Sequence, residues 1–575
     1  MFRYIINFIR QSNMKLIFVI FLLALSVTGC SPEENPLTQH TGAVASAHPL
    51  ATQAGIDILN AGGNAFDAAV ATAAVLAVVE PYSAGMGGGG FWLLHDVKND
   101  RDVFVDAREK APLKAHRDMY LDNGGNVIPK LSIDGPLAAA IPGQAAAFDH
   151  LANKYGNLPL KTSLAAAIRI AKEGFNVDTK YQKLARYREK ALHKYPAAAA
   201  VFLNGKSTLP ELDDIIVQTN LSNTLQAIAD SGFNGFYKGD VAKNMVADVN
   251  KAGGIWSLED LEKYTVIERL PIITEYQGHK IVSAPPPSSG GIAIAQMLNM
   301  LSSLEPQVDW RTLKQADQIH LISETMRRAY FDRAHYLGDP DFIEIPQKKL
   351  MDSKYNATLA SSINLDKATD SKTLGSQVQI LEGFHTTHLS VLDKEGNRVS
   401  ATLSINLPFG SAFLSETTGV LMNNEMDDFS SKPGTPNAYG LIGNEANSIE
   451  PEKRPLSSMT PSYIEHENSI AILGTPGGSR IITMVFLGML EHLQGKPVTE
   501  WVARSRFHHQ YLPDVIQHEP NTFTEDVKKS LIEKGHKLKD VGRDYGNMHA
   551  ILLNRTSGKV SAASDPRGVG QAQVQ

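Results

Sequence analysis

The stretch from His385 to Gly410 limits what this chain can fold into more than any other. It reads His385-Thr386-Thr387-His388, followed by LSVLDKEGNRVSATLSINLPFG. Apolar and polar residues alternate from Leu389 to Leu392 and again from Val399 to Leu407. The KEGN segment between them has turn composition, so the pattern predicts a β-hairpin. If Asp393 faces Arg398 across a four-residue loop, antiparallel pairing keeps the sum of partner numbers constant. Thr386 then lies opposite Ile405, with Ser404 and Asn406 beside it. Hydroxyl and amide groups crowd around one threonine at a strand's start, where a strand needs only bulk.

A threonine hydroxyl is a weak nucleophile unless a base stands next to it. One solution is a threonine at the first position of a chain, whose own α-amine takes the proton. The reference pKa of an α-amine, roughly 7.7–8.0, suits that task near neutrality. Thr386 is internal, so the chemistry requires cleavage of the His385–Thr386 bond. Taken alone, Thr386 and Thr387 serve equally well as β-branched strand formers without chemistry. The spacing of His385 and His388 suits two metal ligands on a helix, but on a strand positions three apart face opposite ways. The acidic run Asn423 to Phe429 lacks the alternating oxygen spacing of a calcium loop. No metal is expected.

The segments TTHLSVLD, SIN, NNEMDDFS, RPLSSMTP and GTPGGSR, in this order and spacing, resemble the γ-glutamyltranspeptidase (glutathione hydrolase) family from about Gly42 to nearly the end. The resemblance implies an α+β fold, the four-layer αββα sandwich of the N-terminal-nucleophile hydrolases. It implies one precursor, cut at His385–Thr386 into a large subunit (42–385) and a small subunit (386–575) that stay paired as a heterodimer. The donor is then glutathione or another γ-glutamyl small molecule, and the acceptor is water, an amino acid or a peptide.

Residue by residue, the resemblance makes Thr386 catalytic and sets Arg108 on the substrate α-carboxylate, where a planar guanidinium fork can bind both oxygens. Glu425 and Asp428 hold the α-ammonium, Ser457 and Ser458 contact the glutamyl carboxylate, and Ser404 and Asn406 orient the nucleophile. Some bacterial relatives carry glutamine at the position of Glu425, and relatives often have threonine at that of Ser404. Gly477 and Gly478 form the oxyanion hole, which suits a glycine pair whose N–H groups open a helix. Tyr439 belongs to the Pro- and Gly-rich stretch 432–444, a lid in bacterial members. A hydroxyl nucleophile needs no cofactor.

Elsewhere the sequence is read from pattern. Leu50 to Leu59 has helical periodicity, and Asn64 is placed to cap an Ala-rich helix through Val79 that is apolar on nearly every face. Gly85 to Gly90 lacks the Lys-Ser/Thr of a phosphate loop and runs into a strand at Phe91 to Leu94, so nucleotide binding is excluded. Val103 to Asp106 reads as a strand; Gly291 to Leu304 and Ala316 to Leu337 read as helices. Leu365 to Leu381 is polar and unpatterned, and is expected to be mobile, as self-cleavage beside it would favour.

The formal net charge of −6 carries no basic block, which argues against nucleic acid as a partner. The single cysteine, Cys30, excludes a disulfide within the chain. Before it, Lys15 and the run LIFVIFLLALSV have the layout of a signal peptide (1–29, with Met14 as the expected start). Val27-Thr28-Gly29-Cys30 resembles a bacterial lipobox, which implies export, acylation of Cys30 and a lipid-anchored protein facing the periplasm of the cell envelope. Residues 30–41 have linker composition. Two rival readings remain: an acylase acting on β-lactam side chains or poly-γ-glutamate, and an uncut, lipid-tethered binding protein.

Overall fold

The structure, a computed structural model, describes residues 40–205, 208–374, 386–432, 434–441, 443 and 445–575. The signal segment, Cys30, most of the linker and His385 lie outside these residues. Two sheets organise the molecule. Their strands, in chain order, are β1 (Ala43–Ser46), β2 (Gly89–Asp96), β3 (Arg101–Ala107), β4 (Ile267–Arg269), β5 (Ile272–Tyr276), β6 (His279–Ser283), β7 (Thr387–Leu392), β8 (Arg398–Ser404), β9 (Ser462–His466), β10 (Ser469–Gly474), β11 (His549–Asn554), β12 (Val560–Ser564) and β13 (Gln571–Val574). The first sheet runs β13-β1-β7-β8-β2-β3-β4 and the second β12-β11-β10-β9-β6-β5.

Helices cover both outer faces. On the first sheet lie α1 (Pro49–Asn60) and α2 (Ala65–Val79), with α3 (Leu160–Glu173) packed on α2; on the second lie α4 (Gly290–Leu304) and α6 (Ile481–Leu493), with α5 (Gln315–Tyr336) packed on α4. β7 and β8 of the first sheet pack on β10 of the second, which completes a four-layer αββα sandwich, as the resemblance implies. α2 is buried along its whole length, so its apolar faces meet protein on all sides. The Asn64 side chain accepts from the N–H groups of Phe66 and Asp67, while Asp67 reaches back to the Asn64 N–H, a capping box at the expected position. Among the described residues no helix is long and apolar enough to cross a membrane.

The hairpin is present, but its register differs by one residue from the expected one. Arg398 faces Leu392, and the Asp393 N–H donates to Asn397 O at 3.0 Å. The loop is one residue shorter than expected because Gly396 takes a left-handed conformation (φ 95°), which closes the turn early. Asp393 enforces this closure. Its Oδ1 accepts from the N–H groups of Glu395 and Asn397, and its Oδ2 accepts from the Ala65 N–H and Asn397 Nδ2. One buried carboxylate thus ties the turn to the start of α2. With Thr387 opposite Leu403, the next step of the ladder sets Thr386 against Ser404, not Ile405.

The expectation of a mobile segment from Leu365 fails over its first part. Residues 365–374 are clamped, whereas 375–381 lie outside the described residues. Glu324, on α5, accepts from the Thr369 N–H (3.1 Å) and Thr369 Oγ1 (2.6 Å) while pairing with Arg327 and Arg328. Arg328 also donates to the carbonyls of Leu359 and Ser362. From the other side Lys534 reaches Leu365 O, and Asp514 accepts from the Ser371 N–H. A polar sequence was read as free chain; here it supplies the acceptors that buried arginines require.

Replacing Asp393 with alanine is expected to destabilise the fold by roughly 2–3 kcal/mol, because it strands the buried Ala65 N–H and removes three further bonds that close the turn. A thermal unfolding midpoint unchanged from the parent chain would refute this.

Candidate active site

Adjacent strand residues point to opposite faces, and this separates the two threonines. Thr387 Oγ1 donates to Glu80 Oε2 at 2.7 Å, and Glu80 caps the C-terminal end of α2, so Thr387 faces the helical layer. Thr386 faces the other way and lines a pocket with Arg333, Asp428, Tyr439, Ser457, Ser458, Gly478 and Ser479. His388 is buried on the strand between Thr402 and Ser390, with Nδ1 2.9 Å from Thr402 Oγ1.

The ladder carries the site sideways. Ser404 pairs with Gly89, and extending the β2–β3 register one step sets Gly89 beside Arg108. Thr386, Ser404, Gly89 and Arg108 therefore form one row across four strands. Three strand spacings put the main chains of Thr386 and Arg108 about 14 Å apart, a gap that an arginine side chain and a glutamyl chain would fill together. A Cβ at Gly89 would collide with Ala107 O and crowd Glu109, so only glycine leaves that place in the row open.

Arg108 and its neighbour Glu109 are both buried. Arg108 Nη2 donates to Asp428 Oδ2 at 2.5 Å, Nη1 lies 2.7 Å from Glu425 Oε2, and Nε donates to Pro455 O. Burial opposes the Arg108 charge, but Glu425, Asp428 and Glu109 outweigh it and push its pKa up. Burial drives the carboxyls of Glu109 and Glu425 upward against the pull of Arg108. Glu109 Oε1 is buried without a hydrogen bond, and the buried Glu425 carboxylate has the Arg108 guanidinium 2.7 Å from its Oε2 and Ser404 as a further donor. A buried acceptor is costly unless a donor fills it, and an ammonium group is a donor of the right charge.

On the opposite wall, Gly477 (φ 141°) and Gly478 (φ 57°) lead into a single 3₁₀ turn, Gly478–Arg480, and then α6. Their N–H groups have no acceptor among the described residues. The Tyr439 ring lies where a Gly478 Cβ would project, and the Tyr439 hydroxyl donates to Asn406 O at 2.9 Å. Asn406 itself has φ 70° and donates through Nδ2 to Asn424 O, while its N–H donates to Ser404 Oγ.

The loop carrying Tyr439 is fastened by residues that sequence reasoning passed over. Asn437 Nδ2 donates to Asp428 Oδ1, the Ala438 N–H to Asp427 Oδ2, and Gln510 Nε2 to Gly440 O. Gln510 is held in turn by His508, whose Nδ1 meets Thr483 Oγ1. Two groups of metal-type side chains lie near one another among the described residues: His320, Glu324 and His536, and His95, Asp102 and Glu465. In the first, Arg327 and Arg328 already take up the carboxylate; in the second, Lys280 and Arg398 do. Neither fits a cation.

A threonine at the head of a central strand, in a two-sheet sandwich covered by helices on both sides, defines the class of N-terminal-nucleophile hydrolases. The Gamma-glutamyltranspeptidase family model matches residues 51–575, and the chain belongs to that family. It is 40% identical over 539 residues to the glutathione hydrolase proenzyme of Escherichia coli strain K12, covering 93% of this chain and 92% of that one. To the glutathione hydrolase proenzyme of Pseudomonas aeruginosa it is 38% identical over 573 residues, 97% and 99% of the two chains. Among solved structures, cephalosporin acylase from Bacillus halodurans superposes with a TM-score of 0.81 at 26% identity, over 95% of this chain and 99% of that one. Helicobacter pylori γ-glutamyltranspeptidase gives 0.56 at 39% identity, over 59% and 96%.

Asp427 yields a pH prediction. Burial raises its pKa to about 6, although bonds from Ser132 Oγ and the Ala438 N–H oppose the shift. Between about pH 4 and that value the folded chain holds a proton that the unfolded chain releases, so this share of stability falls as pH rises. Asp427→Asn keeps both bonding partners without the charge. It is expected to flatten the dependence and raise the thermal midpoint at pH 7.5 but not at pH 4; an equal shift at both would refute it.

Proposed function

We propose that the chain is a glutathione hydrolase and γ-glutamyltransferase that matures by cutting itself at His385–Thr386. The observation that carries the reading is the sorting of the two threonines: Thr387 is spent on Glu80, and Thr386 faces the pocket. Hydrolysis of the preceding bond gives Thr386 a free α-amine. Its Oγ then attacks the γ-amide carbonyl carbon of the donor, the amine takes the hydroxyl proton and passes it to the leaving amine, and a γ-glutamyl ester remains. Water or an acceptor amine resolves that ester. The N–H groups of Gly477 and Gly478 stabilise the oxyanion at each stage.

In this reading the donor's α-ammonium enters between Glu425 and Asp428, and its α-carboxylate meets Arg108 and the hydroxyls of Ser457 and Ser458. Ser404 and Asn406 hold the Thr386 end of the row, and Tyr439 covers the oxyanion site. Strand order supports a lasting heterodimer of 42–385 and 386–575. β1 lies between β7 and β13, β2 lies beside β8, and β6 beside β9, so both fragments are woven through both sheets. The share of this chain matched by the Helicobacter pylori chain, 59%, is close to the share that 42–385 occupies. Export and a lipid anchor on Cys30, facing the periplasm, complete the proposal on the strength of the lipobox-like segment. The acylase reading stands second, because a glutaryl group has no ammonium for the acidic groups Glu425 and Asp428.

Thr386→Ala is expected to leave one uncut chain that releases nothing from a γ-glutamyl anilide, and Thr386→Ser to retain part of both activities. Intact mass and anilide release check this, and an uncut parent chain that turns substrate over would overturn the scheme. Arg108→Ala is expected to raise KM by the equivalent of about 1.5–3 kcal/mol, the value of a charged hydrogen bond. An unchanged KM would remove Arg108 from the donor site.

A further inference from the structure

Arg333 is the unexplained charge in the pocket. It projects from α5, is 4% exposed, and lines the same cavity as Thr386, Ser457, Ser458 and Gly478. Its hydrogen bonds go to neutral oxygens: Nε donates to Ser289 Oγ at 2.9 Å and Nη2 to Ser458 Oγ at 3.2 Å. No carboxylate among the described residues forms an ion pair with it; Asp428, across the same cavity, acts on it only at longer range. The buried arginines around it differ, since Arg108 has Glu425 and Asp428, Arg327 has Glu324 and Asp514, and Arg328 has Glu324. A buried guanidinium without a counter-ion is costly, and an anion that enters the cavity removes the cost.

The hydroxyls next to Arg333 are turned for the same purpose. Ser458 Oγ accepts from Arg333, and Ser457 Oγ accepts from the Met459 N–H at 3.1 Å, so both hydroxyl protons are left to donate into the pocket. Ser289 receives the Arg333 Nε–H and passes its own proton to Ser457 O at 2.8 Å, which fixes the main chain of the pair. Arg108, by contrast, already faces three carboxyl groups.

We propose that Arg333 is a positioning residue for the donor, setting Ser457 and Ser458 through its bonds to Ser289 and Ser458 and supplying the unneutralised positive charge that the substrate α-carboxylate meets. The inference rests on the γ-glutamyl reading above. It adds to Arg108 a second arginine, carried by α5, on the carboxylate side of the donor.

The test compares Arg333→Met and Arg333→Lys with the parent on three anilides: γ-glutamyl, glutaryl (no α-ammonium) and 4-aminobutyryl (no α-carboxylate). Each is followed by release rate and by competition against the γ-glutamyl anilide. Arg333→Met is expected to raise KM or the inhibition constant about tenfold to a hundredfold for the two carboxylate-bearing compounds, with kcat for the γ-glutamyl anilide within about threefold. For the 4-aminobutyryl compound the change is expected to stay below about twofold. Arg333→Lys, which keeps the charge but loses the fork, is expected to fall between. Equal losses on all three compounds, or no change on any, overturn the proposal. If the Met variant does not fold, the Lys variant decides by the same selectivity. A parent chain inactive on the γ-glutamyl anilide refutes the function proposed above, whereas an active parent with unselective variants refutes only the role of Arg333.

Discussion

The hydrogen-bonded ladder of β7, β8, β2 and β3 is the constraint from which the site follows. Antiparallel pairing fixes which residues stand shoulder to shoulder, and a slip of one residue would turn every side chain to the other face. Under the observed register, Thr386 stands beside Ser404, then a glycine gap, then Arg108. The carboxylate of Asp393 locks that register at the turn and fastens it to α2 in one stroke. The placement of a nucleophile thus depends on a buried carboxylate at the far end of its own strand.

Charge is distributed over the site with a similar economy. Glu109, Glu425 and Asp428 gather around Arg108, and burial pushes the pKa of the first two up. A site for a zwitterion needs acceptors for one end and donors for the other, and this cluster offers both. The lid shares these residues. Asp428 bonds both Arg108 and Asn437, so the loop that carries Tyr439 is attached to the group that would bind substrate.

What could be read from the sequence was local. Asn64 as a cap, the apolar helix behind it, the Gly-rich approach to β2 and the helix after Gly478 follow from short-range chemistry, and the structure bears them out. The hairpin was legible as a hairpin, but its register turned on Gly396 adopting a left-handed conformation, one of two closures that the same residues allow. The misread stretch after Leu365 depends on Glu324, Arg327 and Arg328, whose partners lie dozens of residues away. Arg333, Glu109 and Asp427 were passed over for the same reason. A charged residue in sequence looks solvated, and only the packing of distant elements shows that it is buried.

The placement of β1 has a consequence for the molecule as an assembly. This short strand near the start of the described chain is held along one edge by the hairpin and along the other by β13, both of which follow Thr386. A chain nicked before Thr386 keeps those edges, and removing either piece would mean stripping β1 from between two hydrogen-bonded neighbours. Such pieces cannot drift apart on dilution or trade places between molecules, so each nicked protein lives and unfolds as the individual it was synthesised as.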